Sequence, residues 1–585
     1  MSNPNDELPS GDDQPSRRAV LNKTLRQFWL ISKAFFASER RKKARGFLLM
    51  LLGMSLALVS VQVLMSYAGR DFINAIEKKD PTAYWRMLWL YLGTFALAVV
   101  IGVYYRWVEE RLALLWREWM AQHLVKRYFN NRAYYLLRGS ENIDNPDQRI
   151  SEDVRNFTER SLAFLLICLN SLNTLVAFVG VLWAISGTLV ALLLVYAIAG
   201  TAVSIFIGRR LVGLHYDQYE KEADFRYGLV RVRDNAESIA FYRGEKREHL
   251  DLFNRLTLAV ANMRKIITWN RNLGFFTNSY NYVALVLPVM IVAPMFMRGE
   301  VKFGVITQSA GAFAQVLAAV SLIITQFGVI SAYLAGVQRL GNLWENLDEH
   351  DAEEERINSE ANLELDDESR FIRLEKMTVR TPDGTKTLVT DLSFELRKRQ
   401  SLLIMGASGT GKSSVLRTIA GLWSSGSGLL ERPALNDLMF LPQRPYMVQG
   451  SLREQLLYPY SGRAVTDEEI QRIVEEVNLA DVFARVDGDL NRVVDWTNIL
   501  SLGEQQRVAF ARLFLHPPKF AFLDEATSAL DEDNQARLYA LLKKTGVGYI
   551  SVGHRTTLIE HHERLLELNR SGSWEIRANQ LSLPT

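Results

Sequence analysis

Cysteine is nearly missing from this chain: Cys168 is the only one in 585 residues. One thiol can neither close an intrachain disulfide nor build a cysteine-ligated metal cluster. Cys168 lies in an apolar run and is expected to be a small buried hydrophobe. An excess of one charge is also lacking, since 68 Lys and Arg stand against 65 Asp and Glu for a net charge of +3. That balance gives no general signal for a polyanion, so nucleic acid is not an expected partner. Residues 1–16 lack the apolar core and cleavage site of a signal peptide. They are rich in Asn, Asp, Pro and Ser and read as part of a disordered tail, placed at 1–25.

Long uncharged runs, by contrast, are plentiful. Hydrophobic residues make up 48% and charged residues 23% of the whole, close to soluble averages. That average hides a split, because the apolar runs fall in the N-terminal part, and a chain of this length suggests two or more domains. A membrane-spanning helix needs about 20 apolar residues. Gly46 to Gly69 and Met87 to Tyr105 carry no charge, and Ser161 to Gly208 has none over 48 positions. Ser186-Gly187 divides that last run in two. Asn272 to Met297 supplies a fifth span, and Phe303 to Gln338 contains a sixth. The expected membrane domain is therefore all-α and covers 26–345, with spans at 46–69, 87–105, 161–184, 188–208, 273–297 and 308–333.

Basic residues orient these spans. The segments 17–45, 106–160 and 209–271 hold 33 Lys and Arg, against 6 in 70–86, 185–189 and 298–302. The richer side is cytoplasmic, which puts both termini there. The basic loops are long, and Arg111 to Tyr128 places apolar residues at helical spacing, so the spans are expected to continue as helices below the bilayer. A helix lying on the membrane surface is the rival for that segment. Asn145 or Asp147 is placed to cap a short helix beginning at Pro146. That turn and the stretch Arg233 to Glu245 are candidate contacts to a second domain, against the plainer reading of ordinary loop turns. Uncharged polar residues within the spans are Gln62, Asn170, Asn173, Asn278, Asn281, Gln308, Gln315 and Gln326. Hydrogen bonding between helices is the plain reading, and a polar translocation cavity the sharper one.

Residues 346–369 are acidic and read as a solvated linker. The rest, 370–585, reads as a soluble α/β domain. The strand Ser401 to Met405 runs into Gly406-Ala407-Ser408-Gly409-Thr410-Gly411-Lys412-Ser413-Ser414, followed by a helix-forming stretch. This is a phosphate-cradling loop in its strand–loop–helix setting. Its glycines let successive N–H groups face phosphate oxygens, and the helix adds its positive end. Lys412 reaches the β- and γ-phosphates of ATP, and Ser413 can ligate Mg²⁺. A second buried strand, Phe520 to Leu523, ends in Asp524 and Glu525. Asp524 suits the Mg²⁺ shell, and Glu525 suits the base that orients the attacking water. Gln443, Leu500 to Arg507, Ser528 to Asp531 and His554 follow the order and spacing of the remaining ATP-binding-cassette motifs.

With these motifs, 370–585 resembles the nucleotide-binding domain of ABC transporters, and the whole chain resembles an exporter-type half-transporter. Asn145-Pro-Asp-Gln-Arg-Ile, Glu222-Ala-Asp-Phe-Arg-Tyr and Leu500-Ser-Leu-Gly-Glu-Gln-Gln-Arg are similar to the bacterial SbmA/BacA-like transporters with a fused ATPase, themselves similar to the peroxisomal fatty-acyl ABCD transporters. The resemblance implies a domain-swapped homodimer in the bacterial inner membrane. Each ATP would lie between one copy's phosphate loop and the other's signature, touching Ser501, Gly503 and Glu504, with Asp531 nearby. It implies Gln443 and His554 beside Glu525 in hydrolysis, and Gln443 beside Mg²⁺. The signature departs from Leu-Ser-Gly-Gly-Gln at Leu502 and Glu504. The aromatic that stacks on adenine is also replaced, with Arg380 or Pro382 on offer instead. The resemblance implies uptake of a hydrophilic solute such as a peptide or cobalamin, with acyl-CoA or another amphipathic cargo as the alternative. An exporter, an ATP-gated channel and a soluble cassette ATPase are the remaining readings.

Overall fold

The computed structural model describes residues 17–137, 145–325, 327–360, 370–381, 384–423, 425–459 and 465–579. The chain divides into two compact units, Met1–Glu355 and Arg356–Thr585.

The first unit is helical. Its main helices are α1 (Arg17–Ala37), α2 (Arg41–Glu77), α3 (Pro81–Phe129), α4 (Val154–Ile185), α5 (Gly187–Asp234), α6 (Ala236–Tyr242), α7 (Glu245–Met297), α8 (Gly304–Thr325) and α9 (Phe327–Glu360). Among the described residues, five helical stretches are long and apolar enough to cross a membrane, and Gly304–Val320 is a shorter apolar one. Their joints follow local chemistry. Asp80 caps α3 by accepting the N–H groups of Thr82 and Ala83, with Pro81 in the first turn. Ser186, extended at φ −164°, is the one residue between α4 and α5. Gly200 on α5 lets the ring of Tyr280 on α7 pack where a Cβ would stand. The Tyr196 and Tyr280 rings stack 4.3 Å apart, and each hydroxyl donates to the other's backbone carbonyl, at 2.6 and 3.0 Å.

Several expectations are corrected here. Helix α1 begins at Arg17, inside the stretch read as a tail to residue 25, because Ile31 and Phe35 are buried and Gln27 bonds Asn342 and Glu345 on α9 at 3.0 Å. The acidic stretch from 346 is helical as far as Glu360 and not an open connector. Its acids are ion-pair partners, since Arg127 meets Asp348 and Asp351 at 2.7 Å each. The region read as a sixth span is helical at every described residue, 308–325 and 327–333, and Gln326 between them lies outside the described residues. Cys168 is exposed on α4, on an outward face of an apolar helix. Asn145 takes the N-cap position in a left-handed conformation, without a side-chain cap from it or from Asp147. Below the apolar stretch, α3 continues as one helix to Phe129, burying Leu112, Trp116, Trp119, Met120 and Leu124.

The second unit is α/β. Strands β1 (Phe371–Arg380), β2 (Thr387–Arg397) and β4 (Gly426–Glu431) form an antiparallel sheet in the order β2-β1-β4. A six-stranded sheet runs β9-β8-β3-β7-β6-β5, built from β3 (Ser401–Gly406), β5 (Leu438–Leu441), β6 (Phe520–Asp524), β7 (Gly548–Val552), β8 (Arg564–Leu568) and β9 (Trp574–Ala578). All its pairs are parallel except the β8–β9 hairpin. Alternation sends successive residues to opposite faces. Leu402, Ile404, Phe520, Phe522 and Ile550 join one apolar cluster, and Leu403, Ala521, Leu523 and Tyr549 the other. The unit's helices include α10 (Lys412–Ile419), α11 (Leu452–Leu457), α12 (Asp467–Glu476), α13 (Ala480–Arg485), α14 (Leu502–Leu515) and α15 (Glu532–Thr545).

Trp496, 1% exposed, fills the second cluster, and its indole N–H donates to the Gly450 carbonyl at 2.8 Å. Trp496→Ala is expected to cost about 3–5 kcal/mol through lost burial and a cavity. Trp496→Phe, which keeps a ring but loses the donor, should cost less. Differential scanning calorimetry of the full-length protein should show the Ala variant lowering the transition of the second unit further than the Phe variant.

Candidate nucleotide site

The phosphate loop leaves β3 at Gly406. Gly406, Gly409 and Gly411 have φ of 147°, 82° and 95°, values that side chains resist. The loop closes on itself, with Thr410 Oγ1 donating to the Ala407 carbonyl at 3.0 Å. Lys412 Nζ donates to the carbonyls of Gly406 and Ala407 at 2.9 Å each, so the ammonium is held at the cradle. Burial lowers the pKa of Lys412, against the opposing fields of Glu525 and Asp524. Thr410, Lys412 and Ser414 are buried, while Ala407, Ser408 and Gly409 are exposed at the rim.

Ser413, in the first turn of α10, donates from Oγ to Asp524 Oδ1 at 2.8 Å. The two residues proposed for one cation shell therefore stand together. Burial raises the Asp524 pKa, with the Ser413 hydrogen bond opposing it. A divalent cation would reverse that shift by favouring the carboxylate.

Glu525 is left-handed at φ 49°, a strained conformation for a residue with a side chain. Its N–H donates to Val552 at 3.0 Å, and its carbonyl accepts from Ser528 at 3.0 Å. The turn aims its carboxylate between two partners: Gln443 Nε2 donates to Oε2 at 2.8 Å, and His554 Nε2 lies 2.9 Å from Oε1. The bond uses the amide nitrogen of Gln443 and not its side-chain oxygen Oε1. The structure thus brings Gln443, Glu525 and His554 into one contact set beside the Ser413–Asp524 pair. A carboxylate so held can orient or deprotonate a water, and an imidazole beside it can carry a hydrogen bond to a phosphate.

The signature residues have other partners. Ser501 caps α14, its Oγ accepting the Glu504 N–H at 3.3 Å while Glu504 Oε2 accepts the Ser501 N–H at 2.8 Å. This reciprocal capping box explains Glu504, whose carboxylate also pairs with Arg485. Within the chain Glu504 is thus engaged by Ser501 and Arg485, a use that the sequence reading, which gave it to ATP, did not foresee. Gly503 is needed for closeness, since a Cβ would lie 2.9 Å from the Ala529 carbonyl. Asp531 caps α15, accepting the Asn534 N–H at 2.8 Å. Ser501 bonds Glu504 and Gly503 packs against Ala529 and Leu530, and among the described residues no hydrogen bond joins either of them to the phosphate loop. Arg380 is exposed at the end of β1, and Pro382 lies outside the described residues. The sequence reading passed over Gln506 and Arg555, which hold the 528–531 loop. Gln506 lies three residues after Gly503, one helical turn along the same face, and Arg555 follows His554 directly.

Comparison with known proteins finds relatives over most of the chain. Residues 31–297 match the family described as ABC transporter transmembrane region 2, and residues 389–528 match the family described as ABC transporter. An uncharacterized ABC transporter ATP-binding protein of Synechocystis is 44% identical over 554 residues, covering 93% of this chain and 84% of its own length. The chloroplastic ABC transporter D family member 2 of Arabidopsis thaliana is 38% identical, over 96% of this chain and 88% of its own. The human lysosomal cobalamin transporter ABCD4 is 32% identical, over 94% and 96%.

Burial opposes ionisation of Glu504, but the Ser501 N–H, Arg485 and the Ser501 hydroxyl outweigh it, and its pKa is lowered. A folded carboxyl that is the stronger acid stabilises the fold above the ordinary glutamate value of 4.5 and loses that contribution as pH falls through its folded pKa. Glu504→Gln can still cap α14 but cannot titrate. Thermal unfolding should therefore show the wild type keeping its advantage over Glu504→Gln from pH 7 down to 4.5 and losing it progressively as pH falls further.

Proposed function

The chain belongs to the ABC transporter family with fused transmembrane and ATPase regions, close to the ABCD half-transporters, and from that premise we propose that it works as a homodimer taking up a hydrophilic solute. Its ATPase region couples ATP hydrolysis to transport. The observation that carries the site reading is the Glu525 carboxylate held between Gln443 and His554, at 2.8 and 2.9 Å.

In this reading Gly406 to Ser414 wrap the phosphates with backbone N–H groups. Lys412 gives up its bonds to the loop carbonyls for bonds to the β- and γ-phosphates. Ser413, Asp524 and the side-chain oxygen Oε1 of Gln443 would hold Mg²⁺, which when bound neutralises developing charge on the phosphates. Glu525 orients the attacking water and takes its proton, and His554 steadies the γ-phosphate. Ser501 and Gly503 of one copy close on the nucleotide held by the other, with Asp531 near that junction. Glu504 supports this contact through the Ser501 cap. That no hydrogen bond joins the signature to the phosphate loop among the described residues favours the two-copy arrangement.

The hydrophilic cargo reading has structural support in the apolar helices. Asn278, Asn281 and Gln315 are exposed in the single protomer. Gln308, 5% exposed, has an amide nitrogen with no protein partner among the described residues. Amides in a bilayer need a partner or water, so the second copy or an aqueous path must serve them. Asn170 and Asn173 are different: with Ser55 and Tyr105 they bond between helices at 2.5 to 3.0 Å. The cobalamin named for the human relative is one such hydrophilic solute. We place the protein with the SbmA/BacA-like group in the bacterial inner membrane, both termini cytoplasmic, with the ATPase domain over 370–585.

Glu525→Gln should lower ATP turnover by about 10²–10⁴-fold, the range for loss of a general base, while ATP stays bound in a closed dimer. Unchanged phosphate release would remove the role assigned to Glu525. Proteoliposomes given labelled cobalamin, peptide or acyl-CoA should accumulate one of the first two against its gradient. Equilibration without accumulation would indicate a channel, and acyl-CoA transport alone would indicate amphipathic cargo.

A further inference from the structure

Two side chains outside the reaction meet on one loop. Gln506, 0% exposed, sits in α14 with all its amide atoms engaged. Its Nε2 donates to the Gln443 carbonyl at 2.9 Å and to Ser528 Oγ at 3.2 Å, and its Oε1 accepts the Ala529 N–H at 3.1 Å. The amide has one orientation, because turning it over would set oxygen against the Gln443 carbonyl and nitrogen against an N–H. Arg555 grips the same loop from the far side. Its terminal nitrogens donate to the carbonyls of Leu530 and Ser528 at 2.7 Å each. Such a planar fork can satisfy two carbonyls at once, which a lysine cannot reproduce.

The loop 528–531 is therefore tied to two residues that touch Glu525. Gln506 ties it to the backbone of Gln443, and Arg555 follows His554 in the chain. Beyond the loop, Asp531 Oδ2 accepts from Asn534 Nδ2 at 3.0 Å, and Asn534 Oδ1 accepts from Asn478 at 2.9 Å, beyond the end of α12. Movement of Gln443 on a γ-phosphate cannot leave the loop behind without orphaning the buried amide of Gln506, and movement of His554 draws on the loop through the adjoining Arg555 fork.

We propose that Gln506 and Arg555 are positioning residues that make loop 528–531 follow Gln443 and His554, so that one copy's nucleotide state sets the hydrolysis rate in the other copy. The inference rests on the two-copy reading above. Neither residue contacts the reacting atoms in this account.

Dimers carrying two different tags, purified on both and placed in lipid nanodiscs, test it. One copy carries Glu525→Gln, so turnover reports the site containing the other copy's Glu525. Adding Arg555→Gln to the silenced copy should lower the turnover number of the intact site by about five-fold or more, with KM for ATP changed less than about two-fold. Arg555 is exposed, so this variant tests the proposal even if Gln506→Glu fails to fold. Gln506→Glu, which sets a carboxylate oxygen against the Gln443 carbonyl, should act in the same direction. Arg555→Lys should recover part of the loss. Unchanged turnover with Arg555→Gln in the silenced copy, or a loss seen only when it shares a chain with the intact Glu525, would overturn the proposal. Hydrolysis by dimers with Glu525→Gln in both copies would be a separate failure, removing the base assignment and the inference built on it.

Discussion

The parallel pairing of β5, β6, β7 and β3 is the interaction on which the rest of the ATPase unit depends. Ile404 is level with Val552, Val552 with Asp524, and Leu441 with Leu523. The strands therefore end along one edge of the sheet. Gly406 lies two residues past Ile404, His554 two past Val552, Glu525 directly after Asp524, and Gln443 two past Leu441. Four segments far apart in sequence are delivered to one place by backbone hydrogen bonds alone. Ligand sites in open α/β sheets form at such an edge for this reason. The register also has a cost. To bring its carboxylate to Gln443 and His554, Glu525 must leave β6 in a left-handed conformation, and its N–H bond to Val552 helps to hold it there.

The sheet edge was legible in the sequence because each of its segments has a short, local requirement. Glycines at 406, 409 and 411 answer a demand for positive φ, and buried apolar strands announce the acids that end them. What sequence reading missed depends on tertiary partners. The acids after residue 346 read as solvated until Arg127, more than 200 residues earlier, is found beside Asp348 and Asp351. The start of α1 was hidden for the same reason, since Gln27 meets Asn342 and Glu345 on α9. Gln506 was passed over because a glutamine in a helix gives no local sign of being buried. Its value is set by three groups on two separate loops.

The membrane unit shows the same division between local and distant causes. Uncharged length identifies its helices, but the polar residues within them divide only in the structure. Asn170 and Asn173 close a cluster with Ser55 and Tyr105 across three helices, so their amides are satisfied inside the protein. Asn278, Asn281 and Gln315 remain exposed. In hydrocarbon such amides would be costly, which makes them informative about what lies against these helices. The same spacing rules that predict a helix cannot tell a glued face from a wet one.

The altered signature is best understood as a problem in helix termini. A phosphate approaching the N-terminus of α14 is favoured by the helix dipole and by free N–H groups. A glutamate in the third position should oppose it. Two features offset that effect. Glu504 turns back to cap Ser501, so its charge serves the helix end, and Arg485 lies against it and cancels much of its field. Glutamine, the residue ordinarily found there, can cap in the same way without needing a counter-charge. The pairing with Arg485 thus makes the acidic version compatible with an anionic ligand. A glutamate without an arginine at that distance would place an uncompensated negative charge beside an incoming triphosphate.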